Sequence, residues 1–183
     1  QTGRGGTAVL TYTLHTQHSF ARTTAFLDQM GLNIVDARIM PTEGDFSLDC
    51  YTVLEDTGSE LTDSTRIYDL EQQLREALGK PLQAAMTVTR RAPRQVRMFS
   101  TATQINFSED GVNGRTILEL IAGDRPGLLS EIGKVFMAEQ VDINTSKIMT
   151  IGERAEDVFY ITDYDGKPLD AHARERLEQK LVE

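Results

Sequence analysis

Residues 116–149 read TILELIAGDRPGLLSEIGKVFMAEQVDINTSKIM. Thr116 to Ala122 is a β-rich run with Leu118 and Leu120 on one face, and the breakers Gly123, Pro126 and Gly127 end it. From Leu128 the apolar positions Leu129, Ile132, Val135 and Phe136 recur at three- and four-residue steps, the spacing that lines one face of a helix. Val141 to Thr150 and Val158 to Thr162 read as strands, and Asp163 to Gly166 as a turn. Asp170 to Val182 reads as a charged amphipathic helix carrying Leu177 and Leu181. The predicted order is βαββα.

Residues 7–40, TAVLTYTLHTQHSFARTTAFLDQMGLNIVDARIM, fall into register with that stretch without a gap at an offset of 109, the distance from Thr7 to Thr116. Val9 meets Leu118, Phe20 meets Leu129, and Phe26-Leu27 meets Val135-Phe136. Leu32-Asn33-Ile34 meets Val141-Asp142-Ile143, and Ile39-Met40 meets Ile148-Met149. A slip to 108 then aligns Asp49, Tyr51, Val53, Glu55, Gly58 and Leu61 with Asp157, Phe159, Ile161, Asp163, Gly166 and Leu169. Such spacing indicates a duplication. The first copy continues with Ile67, Leu70, Leu74 and Leu78 striping a second helix, then Leu82, Ala84, Met86 and Val88 alternating as a fourth strand. The second copy ends at its helix, but Phe99, Thr101, Thr103, Ile105 and Phe107 alternate just before it, and Asp110 to Gly114 offers a hairpin turn. Its closing strand is therefore expected to be permuted to the front. The fold class is α+β: two ferredoxin-like βαββαβ modules, 5–89 and 99–183, each a four-stranded antiparallel sheet with two helices on one face. Between them, residues 90–98 form a basic linker holding Arg90, Arg91, Arg94 and Arg97. It is either a solvated connection or a patch for an acidic partner or a nucleotide phosphate.

The 183 residues suffice for one or two cores, and no apolar run approaches the ~18–20 residues of a bilayer-spanning helix. The net charge of −9 opposes general nucleic-acid binding, which depends on phosphate neutralisation. Cys50 stands alone, so no internal disulfide, cysteine zinc site or two-cysteine redox motif can form, and a reducing cytoplasmic compartment is expected. Gln1 to Gly6 has neither an initiator Met nor an apolar signal and reads as the start of an excised piece.

The most chemical stretch is Gly123-Asp124-Arg125-Pro126-Gly127-Leu128-Leu129, between a strand and a helix. Helix N-termini leave backbone N–H groups unpaired and carry partial positive charge, which favours a carboxylate. Pro126 presets a first turn and Gly127 permits close approach. Asp124 either holds an ammonium, completing a grip on an α-amino acid by both charged ends, or caps the helix.

This loop and the Val141-Asp142-Ile143 strand resemble the ACT domain, a regulatory module that binds amino acids, across both repeats. Thr150-Ile151-Gly152-Glu153-Arg154-Ala155-Glu156-Asp157-Val158-Phe159, with Gly5-Gly6-Thr7 opening the first copy, resembles the tandem C-terminal ACT domains of the bacterial bifunctional uridylyltransferase/uridylyl-removing enzyme. The resemblance implies a glutamine sensor. It would control catalytic domains of the same chain that add and remove uridylyl groups on the nitrogen-signalling protein PII. It implies magnesium in the parent enzyme's catalytic domains, with no cofactor in this stretch. By position it places ligand contacts on Asp124, Arg125, Pro126, Gly127, Leu128 and Asp142, and on His15 and Asn33 in the first copy. There Gln17-His18 replaces the Pro-Gly pair, so the close-approach glycine is absent. It also implies ligands lying between paired modules, one completing the other's pocket. The competing reading is a ligand-independent interaction module that docks to the catalytic domains or to PII, and exposed strand edges also invite a homodimer.

Catalysis has little to stand on in these residues. Asp163-Tyr164-Asp165 has the acid spacing of a magnesium clamp but no preceding Gly-Ser loop, and the repeat makes it a turn. His15, His18 and His172 form no His-Asp pair, and Cys50 lacks a partner base. Glu153, Arg154 and Glu156 read as a polar turn, either a solvated salt-bridged loop or a relay to neighbouring domains.

Overall fold

The computed structural model describes residues 5–14, 19–79, 102–151 and 153–182. The elements are β1 (Thr7–Leu14), α1 (Ser19–Gln29), β2 (Leu32–Pro41), β3 (Phe46–Glu55), α2 (Ser64–Gly79), β4 (Gln104–Asp110), β5 (Arg115–Gly123), α3 (Leu128–Ala138), β6 (Val141–Ile151), β7 (Arg154–Asp163) and α4 (Ala171–Val182). Two βαββ units follow one template closely. Each second strand carries an irregularity, between Ile34 and Asp36 in β2 and between Ile143 and Thr145 in β6, the same place at the 109 offset. Each third strand ends in the same turn. Gly58 N–H donates to Glu55 O at 2.8 Å and Glu55 N–H to Ser59 O at 2.9 Å; Gly166 N–H donates to Asp163 O at 3.0 Å and Asp163 N–H to Lys167 O at 2.8 Å. Both turns need a glycine at positive φ, 81° and 76°.

The sequence predicts an antiparallel sheet in each module, and in the structure the two sheets join edge to edge. The described strands form one antiparallel sheet in the order β1-β3-β2-β6-β7-β5-β4. The seam pairs Asp36 with Met149 and Ala37 with Ile148. Asp36 and Ala37 stand two and one residues before Arg38, and Met149 and Ile148 two and one after Lys147, which is 109 residues further on. This is the register a two-fold relation between the copies requires. Each unit ends at β2 or β6 in an edge of unpaired N–H and C=O groups, and the two edges satisfy each other.

The permuted strand is present: β4 pairs antiparallel with β5 from Gln104–Ile121 to Asp110–Arg115. It starts at Gln104 rather than Phe99; residues 99–101 lie outside the described residues, as do the first copy's expected fourth strand, Leu82 to Val88, and Arg90, Arg91, Arg94 and Arg97. The expected polar turn at 153–156 is corrected in part. Arg154 and Glu156 belong to β7, because β6 and β7 close through two residues and Ile151 already faces Arg154. The ladder overrides the polar side chains, which stay half-exposed and pair at 2.9 Å.

All four helices cover one face. Tyr51, Val53, Leu118, Phe159 and Ile161 are fully buried beneath them. Phe20 of α1 meets Phe159 edge-on at 6.0 Å, and Phe136 of α3 meets the same ring at 5.1 Å, so the two units share one core. At the centre α1 and α3 cross where a Cβ on Gly133 would lie 2.6 Å from the Ala21 Cβ. The flanking helices have side-chain caps: Asp63 Oδ1 accepts from Thr65 N–H at 2.9 Å, and Asp170 Oδ1 from Ala173 N–H at 2.8 Å. Among the described residues no helix is long and apolar enough to cross a membrane.

Candidate functional site

The loop from β5 to α3 departs from that capping pattern. Asp124 N–H donates to Glu153 O at 2.9 Å and Leu128 N–H to Arg125 O at 3.1 Å, folding the chain back on itself. Gly127 then enters the left-handed region at φ 84°, where a side chain would be strained, and opens α3 with no side-chain cap. Asp124 therefore does not cap this helix. Leu128 N–H is taken by Arg125 O and Glu131 N–H by Gly127 O, so of the first-turn amides of α3 those of Leu129 and Ser130 are left to solvent or to a ligand.

That helix start faces a cavity of about 440 Å³ between the two units. One wall is Asp124 to Ser130. The other comes from the first unit: Thr24 and Asp28 of α1, Leu32 to Val35 of β2, Leu54 of β3 and Asp56 just after it, with Thr150 of β6 at the seam. The Thr150 hydroxyl reaches Ile34 O at 3.4 Å across that seam. The Ser130 hydroxyl is buried and has no protein partner among the described residues.

The interior is acidic. Asp28, Asp56 and Asp124 line it. Burial raises the Asp124 carboxyl above its ordinary range, with the Arg125 backbone N–H pulling the other way. Behind it on β7, Asp157 is almost wholly buried, and no side chain among the described residues hydrogen-bonds its carboxylate. Desolvation raises its carboxyl to about 7; the Met149 amide opposes the shift and the nearby Asp124 charge adds to it. Among the described residues the one cation of the wall, Arg125, is committed to Glu131, whose carboxylate holds the guanidinium further into its charged form. A ligand ammonium would thus meet the Asp124 carboxylate on an acidic wall while a ligand carboxylate met the α3 amides.

Asp124, Arg125, Pro126, Gly127 and Leu128 come together with Asn33 on this one cavity. Asp142 is not among its lining residues. It pairs with Thr162 on β7, and its charge adds to the burial that raises the Tyr164 phenol. The two-fold relation explains the difference: Asn33 and Asp142 occupy equivalent places, so the residue facing the second copy's loop is the first copy's Asn33. His15, with Gln17 and His18, lies outside the described residues. Thr24, Asp28, Asp56 and Thr150 were not legible as site residues, because only the seam brings them to the loop. Asp157 had one signal, its alignment with Asp49. That residue is equally buried, but its carboxylate accepts from the Ser47 hydroxyl. Asp163 accepts the N–H groups of Asp165 and Lys167 at 3.0 and 2.8 Å, the turn the repeat predicts.

Residues 116–180 match the ACT domain. The ACT match covers α3 and the loop before it, which build one wall of the cavity, together with β6 and β7. Across 181 residues, 98% of its length, the chain is 41% identical to the bifunctional uridylyltransferase/uridylyl-removing enzyme of Methylococcus capsulatus and covers 21% of that protein. The same enzyme of Pseudomonas syringae pv. tomato is 41% identical over 180 residues, 97% of this chain and 20% of the relative. That of Azotobacter vinelandii is 41% identical over 181 residues, 98% and 20%. The chain spans about one fifth of the length of the curated relatives it matches. Among solved structures, aspartate kinase from Synechocystis aligns over 94% of this chain and 26% of its own, at 11% identity and a TM-score of 0.47. The ACT match lies in the second unit, and the first unit repeats its βαββ template.

Proposed function

We propose that this chain is the amino-acid-sensing regulatory part of a cytoplasmic bifunctional uridylyltransferase/uridylyl-removing enzyme, with the modules at 5–89 and 99–183. Glutamine bound in the cavity sets the balance between adding and removing uridylyl groups on PII. The catalytic residues and their magnesium belong to the rest of the longer enzyme. The observation that carries this reading is a cavity with an uncapped helix start and the half-buried Asp124 carboxylate on one wall and the other unit on the opposite wall. A ligand shifts a conformational equilibrium only through unequal affinity for its states. One that touches both walls gains contacts when the units close and loses them when they part. The α-carboxylate lies at the α3 amides, the ammonium at Asp124, and the neutral side-chain amide suits Asn33 and the Ser130 hydroxyl, which can donate and accept.

Isothermal titration with glutamine tests this directly. Saturable heat is expected for the unaltered protein. Asp124→Ala weakens binding by roughly 10- to 150-fold, the equivalent of about 1.5–3 kcal/mol for a charge-assisted bond. Asp142→Ala, off the cavity, changes the affinity by less than about twofold, within the ±0.5 kcal/mol usual for remote surface changes. No heat at millimolar glutamine removes the sensing assignment and leaves a ligand-independent interaction module.

A further inference from the structure

The sheet face turned away from the helices shows whether the shared template accounts for the surfaces of both units. In the first unit it carries Leu10, Tyr12 and Leu14 of β1 and Phe46 of β3, exposed by 63, 62, 55 and 37%. Tyr12 and Phe46 stack with ring centroids 5.0 Å apart and planes 11° from parallel. The offsets that superpose the copies place Glu119 where Leu10 stands, Arg154 where Phe46 stands and Glu156 where Leu48 stands. The backbone therefore accepts charge at these positions, and the fold alone does not call for an apolar face. Contiguous exposed apolar surface on one side of a folded domain marks a binding partner.

We propose that this face of the first unit is a two-fold interface with the same face of a second copy of this chain. The charges beside the patch argue for self-pairing. Along β2, Asp36 and Arg38 project to the same side, 38% and 65% exposed, their charged atoms 4.0 Å apart. An isologous contact sets each copy's Arg38 toward the other's Asp36, so both signs are answered. A uniformly acidic or basic partner leaves one of the two opposed by a like charge. Two such faces pack about 10 Å apart in the aligned manner of sheet sandwiches, with the Tyr12–Phe46 pairs at the centre. At a net charge of −9 the copies repel over most of their surface, so association is expected to strengthen with added salt.

Sedimentation velocity from low to high micromolar protein tests the proposal, with the double variant Leu10→Glu, Phe46→Arg. These are the residues the second unit already carries at those places, so the variant keeps the circular dichroism of the parent. The unaltered chain sediments as a dimer at the upper concentrations, and the variant dissociates roughly a hundredfold more readily, the loss expected of two central contacts. Glu119→Leu on the second unit leaves the dimer unchanged. If the double variant fails to fold, Tyr12→Ser supplies the same readout. A monomeric parent across the range overturns the proposal, and so does a dimer that persists unweakened in a folded variant.

Discussion

Replacing Gly133 by alanine lowers the melting temperature, although helix propensity alone predicts the opposite. Glycine inside a helix costs about 0.5–1 kcal/mol relative to alanine, so an exposed site would be stabilised by the change. Gly133 instead lies where α3 crosses α1. Its new Cβ would stand 2.6 Å from the Cβ of Ala21, 2.8 Å from its Cα and 3.2 Å from its backbone nitrogen. Two of those atoms are backbone and have no rotamer to escape into. The helices must separate, at the overpacking cost of about 1–3 kcal/mol, or roughly 2–4 °C of melting temperature for each kcal/mol in a chain of this size. The cavity wall supplied by Thr24 and Asp28 rides on α1, so glutamine affinity falls with stability. Ala21→Gly in the same chain restores part of both, because one of the three close atoms is then gone. An alanine variant that melts above the parent contradicts the observed crossing.

Asp157→Asn stabilises the protein at pH 8 and leaves it nearly unchanged at pH 4. The folded-state carboxyl titrates at about 7, against an ordinary 3.8. Between those values the folded chain keeps a proton that the unfolded chain has released, so the group's contribution to stability declines as pH rises through this window. Above it, the full cost of an ionised buried carboxylate is borne, at most about 4 kcal/mol for three units of displacement. Asparagine has similar volume and no charge to desolvate. Thermal unfolding of both proteins at pH 4, 6 and 8 should show melting temperatures that diverge by several degrees at the alkaline end. Asp124→Asn shifts the midpoint of the divergence downward, since it removes the like charge beside Asp157. An equal difference at every pH points to packing instead of ionisation.

The duplication was legible because it rests on local periodicity. Leu32 to Met40 and Val141 to Met149 share an apolar rhythm that survives loss of identity, and the permuted strand announced itself by alternation at Ile105 and Phe107. Edge pairing carries no such mark. Nothing in β2 or β6 alone says that Ala37 will meet Ile148, because any exposed edge offers the same N–H and C=O groups. Everything that depends on the seam was hidden with it: the second wall of the cavity, and the exchange that brings Asn33, not Asp142, to the Pro126-Gly127 bend. Gly133 was illegible for a related reason. A stripe such as Leu129, Ile132, Val135 and Phe136 tells which side of a helix is covered, but not how near the next axis comes.

Because both halves of the sheet lie on one polypeptide, the encounter that forms the seam is unimolecular. A pairing within one chain does not depend on protein concentration, so dilution does not dissolve it. Covalent linkage also frees the two equivalent positions from having to stay identical, and asparagine at 33 beside aspartate at 142 is that freedom already in use.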